Sequence, residues 1–468
     1  MKNFLFFGFL LVTINLFGQE TKFSKADLVT DLDSLVAYIE QVHPSPYTSI
    51  SKENFYKEIE ICKNNLEDST SLIEYFTFIS PIVSKMNDAH TNVPFPLSEW
   101  RNINPYSFLF NFQISQDGKM FAPKNYTELP QNAEILSING VPSKQIVEKL
   151  ISSISAESES YKIAILNMTF VERFGAFFGF KPSYEIAYKL GEEINTITIL
   201  GMKLKDVIKA INEQQQQQQQ QVQTINTPKD WDYTTLNDAK IGIIDFKEFS
   251  DLQLFDYFLD SIFTKIQQEK TENLIIDIRE NGGGDSALGD AFFQYISKVP
   301  YSQFGKTMIK YSQKRAEFYT EYRKNGFLNY LSDSAFNLLI STEEYGTIIT
   351  EKDELYPLKE NPLRFNGKVY LLTSTFSFSS ASSFAWCFQH FNMGKIIGEE
   401  TGGHIVCFGD IIYITLPISK LQMGVSHKEF YGYGATDENR HGVIPDYKVD
   451  ANKALDFTID LINKTLCQ

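Results

Sequence analysis

Three short apolar runs constrain this chain more than any other feature. IGIIDF (241–246), NLIIDI (273–278) and VYLL (369–372) are each β-prone and nearly free of polar interruption. A strand with one wet face alternates apolar and polar residues, whereas a run apolar on both sides belongs in a sheet covered on both faces. Helix-like patterns follow the first two runs, from Leu252 to Lys270 and through DSALGDAFFQYI. That alternation predicts a mostly parallel sheet in an α/β fold. The second run empties into a glycine corner, NGGGD. The third empties into a Ser/Thr-rich turn, TSTFSFSS, ahead of a helix pattern at Ala381, Phe384, Ala385 and Phe388.

These two corners carry the chemistry. A serine at a strand-to-helix junction sits on rigid elements beside unpaired first-turn N–H groups, a setting that suits attack on a carbonyl. A Ser-rich turn on its own is only a helix N-cap. NGGG lets backbone approach a ligand closely, and its N–H groups, facing the serine turn, would form an oxyanion hole. Neither GxGxxG nor a P-loop pattern is present, which makes a phosphate site less attractive. A serine nucleophile needs a base. His43 precedes Pro44 in a helical region, His390 lies deep in a helix pattern, His427 lies on a strand, and His441 is close to Asp437 and Glu438. His90, where helical pattern gives way to strand in KMNDAHTNVPF, and His404, after IIGEETGG, are the strongest candidates.

The remainder sets the organisation. The 468 residues exceed one ordinary domain. MKNFLFFGFLLVTINLFGQE has a basic Lys2, a short apolar core and a small residue at Gly18, and reads as an export signal over 1–18. The expected place is periplasmic or secreted, with no stable membrane insertion after signal removal. Residues 19–100 read as a helical domain, with Leu28, Leu32, Leu35, Val36 and Ile39 at helical spacing. Residues 101–205 read as β-rich, with a tight turn at Asn139–Gly140 and Ser143 as a helix N-cap. A glutamine tract at 214–221 marks a linker over 206–235, and 236–468 is the sheet-bearing domain, with 301–364 as an insertion. A net charge of −15 argues against nucleic acid as a partner. Cys62, Cys387, Cys407 and Cys467 match no metal template; in an exported protein Cys387 and Cys407 are a candidate pair.

DIRENGGGD resembles the Asp-x-Arg-x-Asn-x-Gly-Gly motif of the C-terminal processing and tricorn-type serine peptidases, and TSTFSFSSASSFAW with IIGEETGG resembles their nucleophile region. EILSINGVP is similar to part of a PDZ-like module. The resemblance implies a crotonase/ClpP-like catalytic domain with a mostly parallel sheet, a helical N-terminal cap and a PDZ-like β-rich module. Its register selects Ser379 as nucleophile, with Ser380 and Gly283 or Gly284 as oxyanion donors. The processing branch carries a lysine base 25 residues beyond the serine, and that position here is His404. The tricorn-like branch uses an upstream histidine, which NDAHTNV places at His90. Its orienting glutamate, ahead of a Gly-Val-x-Pro-Asp tail, falls on Glu438, with Asp437 as alternate and His404 as alternate base. The implied activity is serine endopeptidase hydrolysis of a protein or peptide substrate, without metal or organic cofactor. The alternative is a catalytically inactive peptide- or lipid-binding protein on the same fold.

Overall fold

The computed structural model describes residues 20–466 apart from 109, 124, 125, 127, 210–229, 237–239, 330 and 342–344. The export signal, the glutamine tract and Cys467 lie outside the described residues. The three apolar runs lie side by side in one six-stranded sheet. Ile241–Phe246, Asn273–Asp277 and Lys368–Thr373 run parallel, with Ile244 opposite Ile276 and Ile276 opposite Leu371. Lys395–Gly398 and Tyr447–Lys448 extend the sheet in parallel on one side, and Trp231–Leu236 closes the other edge antiparallel.

The sheet is apolar on both faces because both are covered. Ile244, Leu274, Ile276 and Leu371 point to one side, into a cluster with Phe255, Phe263, Phe292 and Phe384. These four aromatics come from the helices Leu252–Glu269, Ala287–Ile296 and Ser380–His390. Ile275, Tyr370, Leu372 and Ile397 point to the other side, onto Ala454 and Ile462 of the last helix, Ala451–Leu466. Period-two alternation with both parities apolar produces the unbroken runs seen in the sequence.

A second, antiparallel sheet carries Ile348–Lys352, Phe304–Lys310, Gln422–Gly432 and Val406–Thr415 in that order. The expectation of an insertion over 301–364 is corrected here. Phe304–Lys310 is an inner strand, paired on both edges. One of its two ladder partners, Gln422–Gly432, lies more than a hundred residues downstream, so no local pattern announces that pairing. The N-terminal helices Lys25–Val42, Lys52–Asn65 and Leu72–Val83 are capped by Ser24, Ser51 and Ser71, the last in a capping box with Glu74. Their apolar stripe (Leu28, Leu35, Phe76) packs on Ile412, Met423 and Val425 of this sheet. Buried Asp31 accepts the N–H groups of Ile418 and Ser419 at 2.8 and 2.7 Å and fixes that docking.

The strands Glu134–Ile138, Ser183–Leu190 and Glu193–Leu200 form a separate cluster with the helices Ser143–Ile151 and Glu159–Phe178. Asn139 and Gly140 both have positive φ, as a two-residue hairpin turn requires. Ser143 is the first residue of its helix and not its cap; its hydroxyl donates to the Ile135 carbonyl. Cys62, Cys387 and Cys407 are free thiols, so the Cys387–Cys407 pairing is not formed. Among the described residues no helix is long and apolar enough to cross a membrane.

Candidate active site

Ser379 stands between the strand Lys368–Thr373 and the helix Ser380–His390, with φ 53° and ψ −124°. A non-glycine residue in that region costs on the order of 1–3 kcal/mol and persists only where its surroundings over-determine it. They do so here. Ser377 Oγ donates to the Ile278 carbonyl at 2.7 Å, and Phe378 N–H donates to Asn281 O at 3.1 Å. Gly402 N–H donates to Ser377 O at 3.0 Å. The turn is thus clamped between the glycine corner and the loop after Gly398. Ser379 makes no side-chain cap bond to its own helix, so its hydroxyl remains available.

The glycine corner packs directly against it. Gly283 has φ +99°, and a Cβ there would sit 2.8 Å from the Phe378 carbonyl and from Ser379 Cβ. Asn281 Oδ1 accepts the Gly283 N–H at 2.8 Å, while its amide nitrogen donates to Phe246 O. The Gly283 N–H is therefore occupied, which corrects its expected role as an oxyanion donor. The short parallel bridge between Gly284 and Phe249 uses the Gly283 carbonyl and the Asp285 N–H. It leaves the Gly284 N–H out of the pairing. Ser380 Oγ donates to Gly284 O at 2.6 Å, and the Ser380 N–H belongs to the first helical turn, where no intrahelical acceptor exists.

His90 arrives from the N-terminal helical region. The strand Gln422–Gly432 holds its segment: Asn92 and Gly424 exchange backbone bonds of 3.1 and 2.9 Å, and Ser426 N–H donates to Thr91 Oγ1 at 3.0 Å. His90 Nε2 lies 3.2 Å from Ser379 Oγ. The ring stacks on Phe378, which stacks in turn on Tyr161. His90 Nδ1 is buried with no hydrogen-bond partner among the described residues and lies 3.8 Å from Asp88 Oδ1. Burial lowers the imidazole pKa below its ordinary value, against the opposing pull of Asp88, Asp410 and the Phe408 carbonyl. A lowered value favours the neutral ring, the form that can accept a proton.

Asp88 is fully buried and organises this corner. Its Oδ1 accepts the His90 backbone N–H at 2.9 Å, and its Oδ2 accepts Ser426 Oγ at 2.7 Å and faces His43 Nε2 at 3.3 Å. Ser45 N–H donates to His43 Nδ1, which leaves the proton on Nε2 to meet Asp88. Burial alone would raise the carboxyl pKa; the hydrogen bond from His43 and the electrostatic pull of the His43 and His90 rings at the acid pH where the carboxyl titrates outweigh it and hold it at about 2. Glu157 is the second acid of the corner. Both its oxygens are shut off from solvent without a hydrogen-bond partner among the described residues. Burial and the charge of Asp88 push its pKa up to about 8. Asp88, His90 and Glu157 each offer a donor atom within 4.8 Å of the others, the one metal-compatible group among the described residues.

The remaining sequence candidates lie elsewhere. Glu438 is exposed in the short turn Asp437–Asn439, where its N–H meets Thr436 Oγ1, and no bond or ion pair joins it to His90 among the described residues. Asp437 is bound to Tyr431 and to Arg440, which itself reaches back to buried Glu429. The turn is thereby held on Arg440, and the carboxylate beside His90 is Asp88. His404 bridges Gly442 and makes no hydrogen bond to Ser379. Burial, with the charges of His441 and Arg440, drives its pKa down to about 4. Asp88 was legible as the acid two residues before His90 in NDAH. His43 carried only its place before a proline, and Glu157 carried no signal.

The family profile described as peptidase family S41 matches residues 240–449. The crystal structure of mature CPAF is similar to this chain at 14% identity with a TM-score of 0.60, covering 95% of this chain and 97% of that one. The structure of mature CPAF complexed with lactacystin is similar at 14% identity with a TM-score of 0.59, covering 95% of this chain and 98% of that one. At this identity the two structures speak to the fold.

Proposed function

The chain is a serine-type peptidase whose residues 240–449 belong to family S41, and from that premise we propose that it cleaves peptide bonds through an acyl-enzyme on Ser379. His90 is the general base and Asp88 its orienting acid. The contact of 3.2 Å between His90 Nε2 and Ser379 Oγ carries the reading. Ser379 Oγ attacks the scissile carbonyl as His90 Nε2 takes its proton. The Gly284 and Ser380 N–H groups hold the oxyanion. Collapse expels the amine, which receives the proton from His90, and a water activated by the same nitrogen releases the acyl group.

Asp88 fixes the tautomer with the proton on Nδ1 and steadies the imidazolium. Its separation from Nδ1 is long for a hydrogen bond, as such contacts often are without substrate, and shortens as positive charge develops on the ring. Residues 101–205 serve as a PDZ-like module and 19–100 as a helical cap beside a crotonase-like sheet, and the linker expected over 206–235 gives way at Trp231 to the edge strand of that sheet. The first 18 residues direct export. Ser379→Ala tests the assignment: peptide hydrolysis should fall by at least about 10³-fold, and turnover unchanged from wild type in a clean preparation rejects it.

A further inference from the structure

The corner behind His90 holds more acid than a catalytic triad needs. Asp88 suffices to orient the ring, yet Glu157 brings a second carboxylate to the same place, with both oxygens unpartnered among the described residues. His90 is 8% exposed, and its Nδ1 faces this pair with no hydrogen bond of its own. One imidazole nitrogen and two carboxylates converge there, with one ligand atom of each within 4.8 Å of the others.

We propose that Asp88, Glu157 and His90 Nδ1 form an inhibitory binding site for a divalent transition-metal ion of the zinc class, an inference that rests on His90 being the base. Zinc takes imidazole nitrogen and carboxylate oxygen at about 2.0–2.2 Å, so donors around it stand roughly 3.3–3.6 Å apart. Nδ1 and Asp88 Oδ1 are already 3.8 Å apart. Glu157 offers an oxygen within 4.8 Å of both, and a small contraction of the three side chains brings the set to zinc distances. Two carboxylates balance the charge of the ion, and the imidazole favours zinc over magnesium or calcium.

The consequence for catalysis follows from proton counting. A neutral imidazole has one lone pair and one N–H. The base needs its proton on Nδ1 and its lone pair on Nε2, toward Ser379. A metal on Nδ1 takes the lone pair there, and the proton moves to Nε2. Nε2–H then faces Ser379 Oγ and has nothing with which to accept its proton. The ion leaves Ser379 and the oxyanion donors untouched and switches the base off, reversibly by chelation.

Two readouts test this. Calorimetric titration of zinc sulfate into the Ser379→Ala chain should find one ion per chain, with affinity lowered at least about tenfold by adding Glu157→Gln. Glu157→Asp, one methylene shorter, gives a second variant should the glutamine disturb folding. In the wild-type sequence zinc should inhibit peptide hydrolysis over the same concentration range, and a chelator should restore it. Against its own chelated rate, each Glu157 variant should need at least tenfold more zinc for inhibition, while His404→Ala should respond as wild type. No binding at millimolar zinc, or binding unaffected by both Glu157 variants, overturns the proposal. Retained hydrolysis in Ser379→Ala would instead reject the peptidase assignment and leave the binding result to stand by itself.

Discussion

The two halves of the candidate site are built in opposite ways. The nucleophile half is self-contained: Ser379 is held by Ile278, Asn281 and Gly402, all within the stretch matched to the peptidase family. Its strain is stored in the turn and countered by its immediate neighbours. The base half is delivered from outside. His90 sits on a segment of the N-terminal helical region, docked onto the strand Gln422–Gly432 by Asn92, Thr91 and Asp88. A sheet and a turn fix the hydroxyl, whereas the packing of one region on another fixes the imidazole. The base should therefore be the more easily displaced of the two.

The strongest challenge to this contrast is the choice of base. His90→Ala should lower kcat by about 10²–10⁴-fold, whereas His404→Ala should leave it within a few-fold of wild type. Comparable losses would mean that the docked segment is not the source of the base. Next is the rigidity of the nucleophile half. Gly283→Ala places a methyl against Phe378 O and Ser379 Cβ at a positive φ. It should cost on the order of 10²-fold in kcat through misplacement of the hydroxyl. A neutral effect would show that the corner can yield.

Docking is probed more gently by Ser426→Ala, which removes a hydrogen bond of 2.7 Å to the buried Asp88 carboxylate. Thermal unfolding should report a loss of about 1.5–3 kcal/mol, and kcat should fall while KM holds. The smallest effects lie in pH. Since burial lowers the His90 pKa, the acid limb of kcat/KM should fall below about 6.5, the free imidazole value. His404, half-buried, and His427, buried, have pKa values held down to about 4. Their folded values lie below the unfolded one, so the stability they contribute is present above about 6.5 and is lost as pH falls toward 4. Denaturant melts across that window should show the decline.

What the sequence revealed follows the same division. The parallel sheet was readable because strands covered on both faces leave unbroken apolar runs, as at Leu274, Ile275 and Ile276. The nucleophile turn was readable because its partners lie in short motifs of fixed spacing. The β-rich segment showed its hairpin through Asn139–Gly140, where the turn itself demands those residues. The inner strand Phe304–Lys310 was not readable, because its pairing with Gln422–Gly432 spans the chain and leaves no periodic trace beside it. The acid nearest the imidazole was not singled out by motif for a related reason. Glu438 matched a motif by position, but Arg440 ties that turn to Asp437 and Glu429, and Asp88 occupies the space beside the imidazole. Glu157 was invisible because only the folded chain brings it, from nearly seventy residues away, beside Asp88 and His90.

The central claim is that the acid acting on His90 is the buried Asp88. The most direct measurement is kcat/KM for Asp88→Asn beside Glu438→Gln, each first shown to be folded by circular dichroism. Asp88→Asn should lose about a hundredfold or more through the wrong imidazole tautomer. Glu438→Gln, an exposed change, should stay within roughly twofold of wild type. A larger loss from Glu438→Gln, with Asp88→Asn near wild type, would contradict the account.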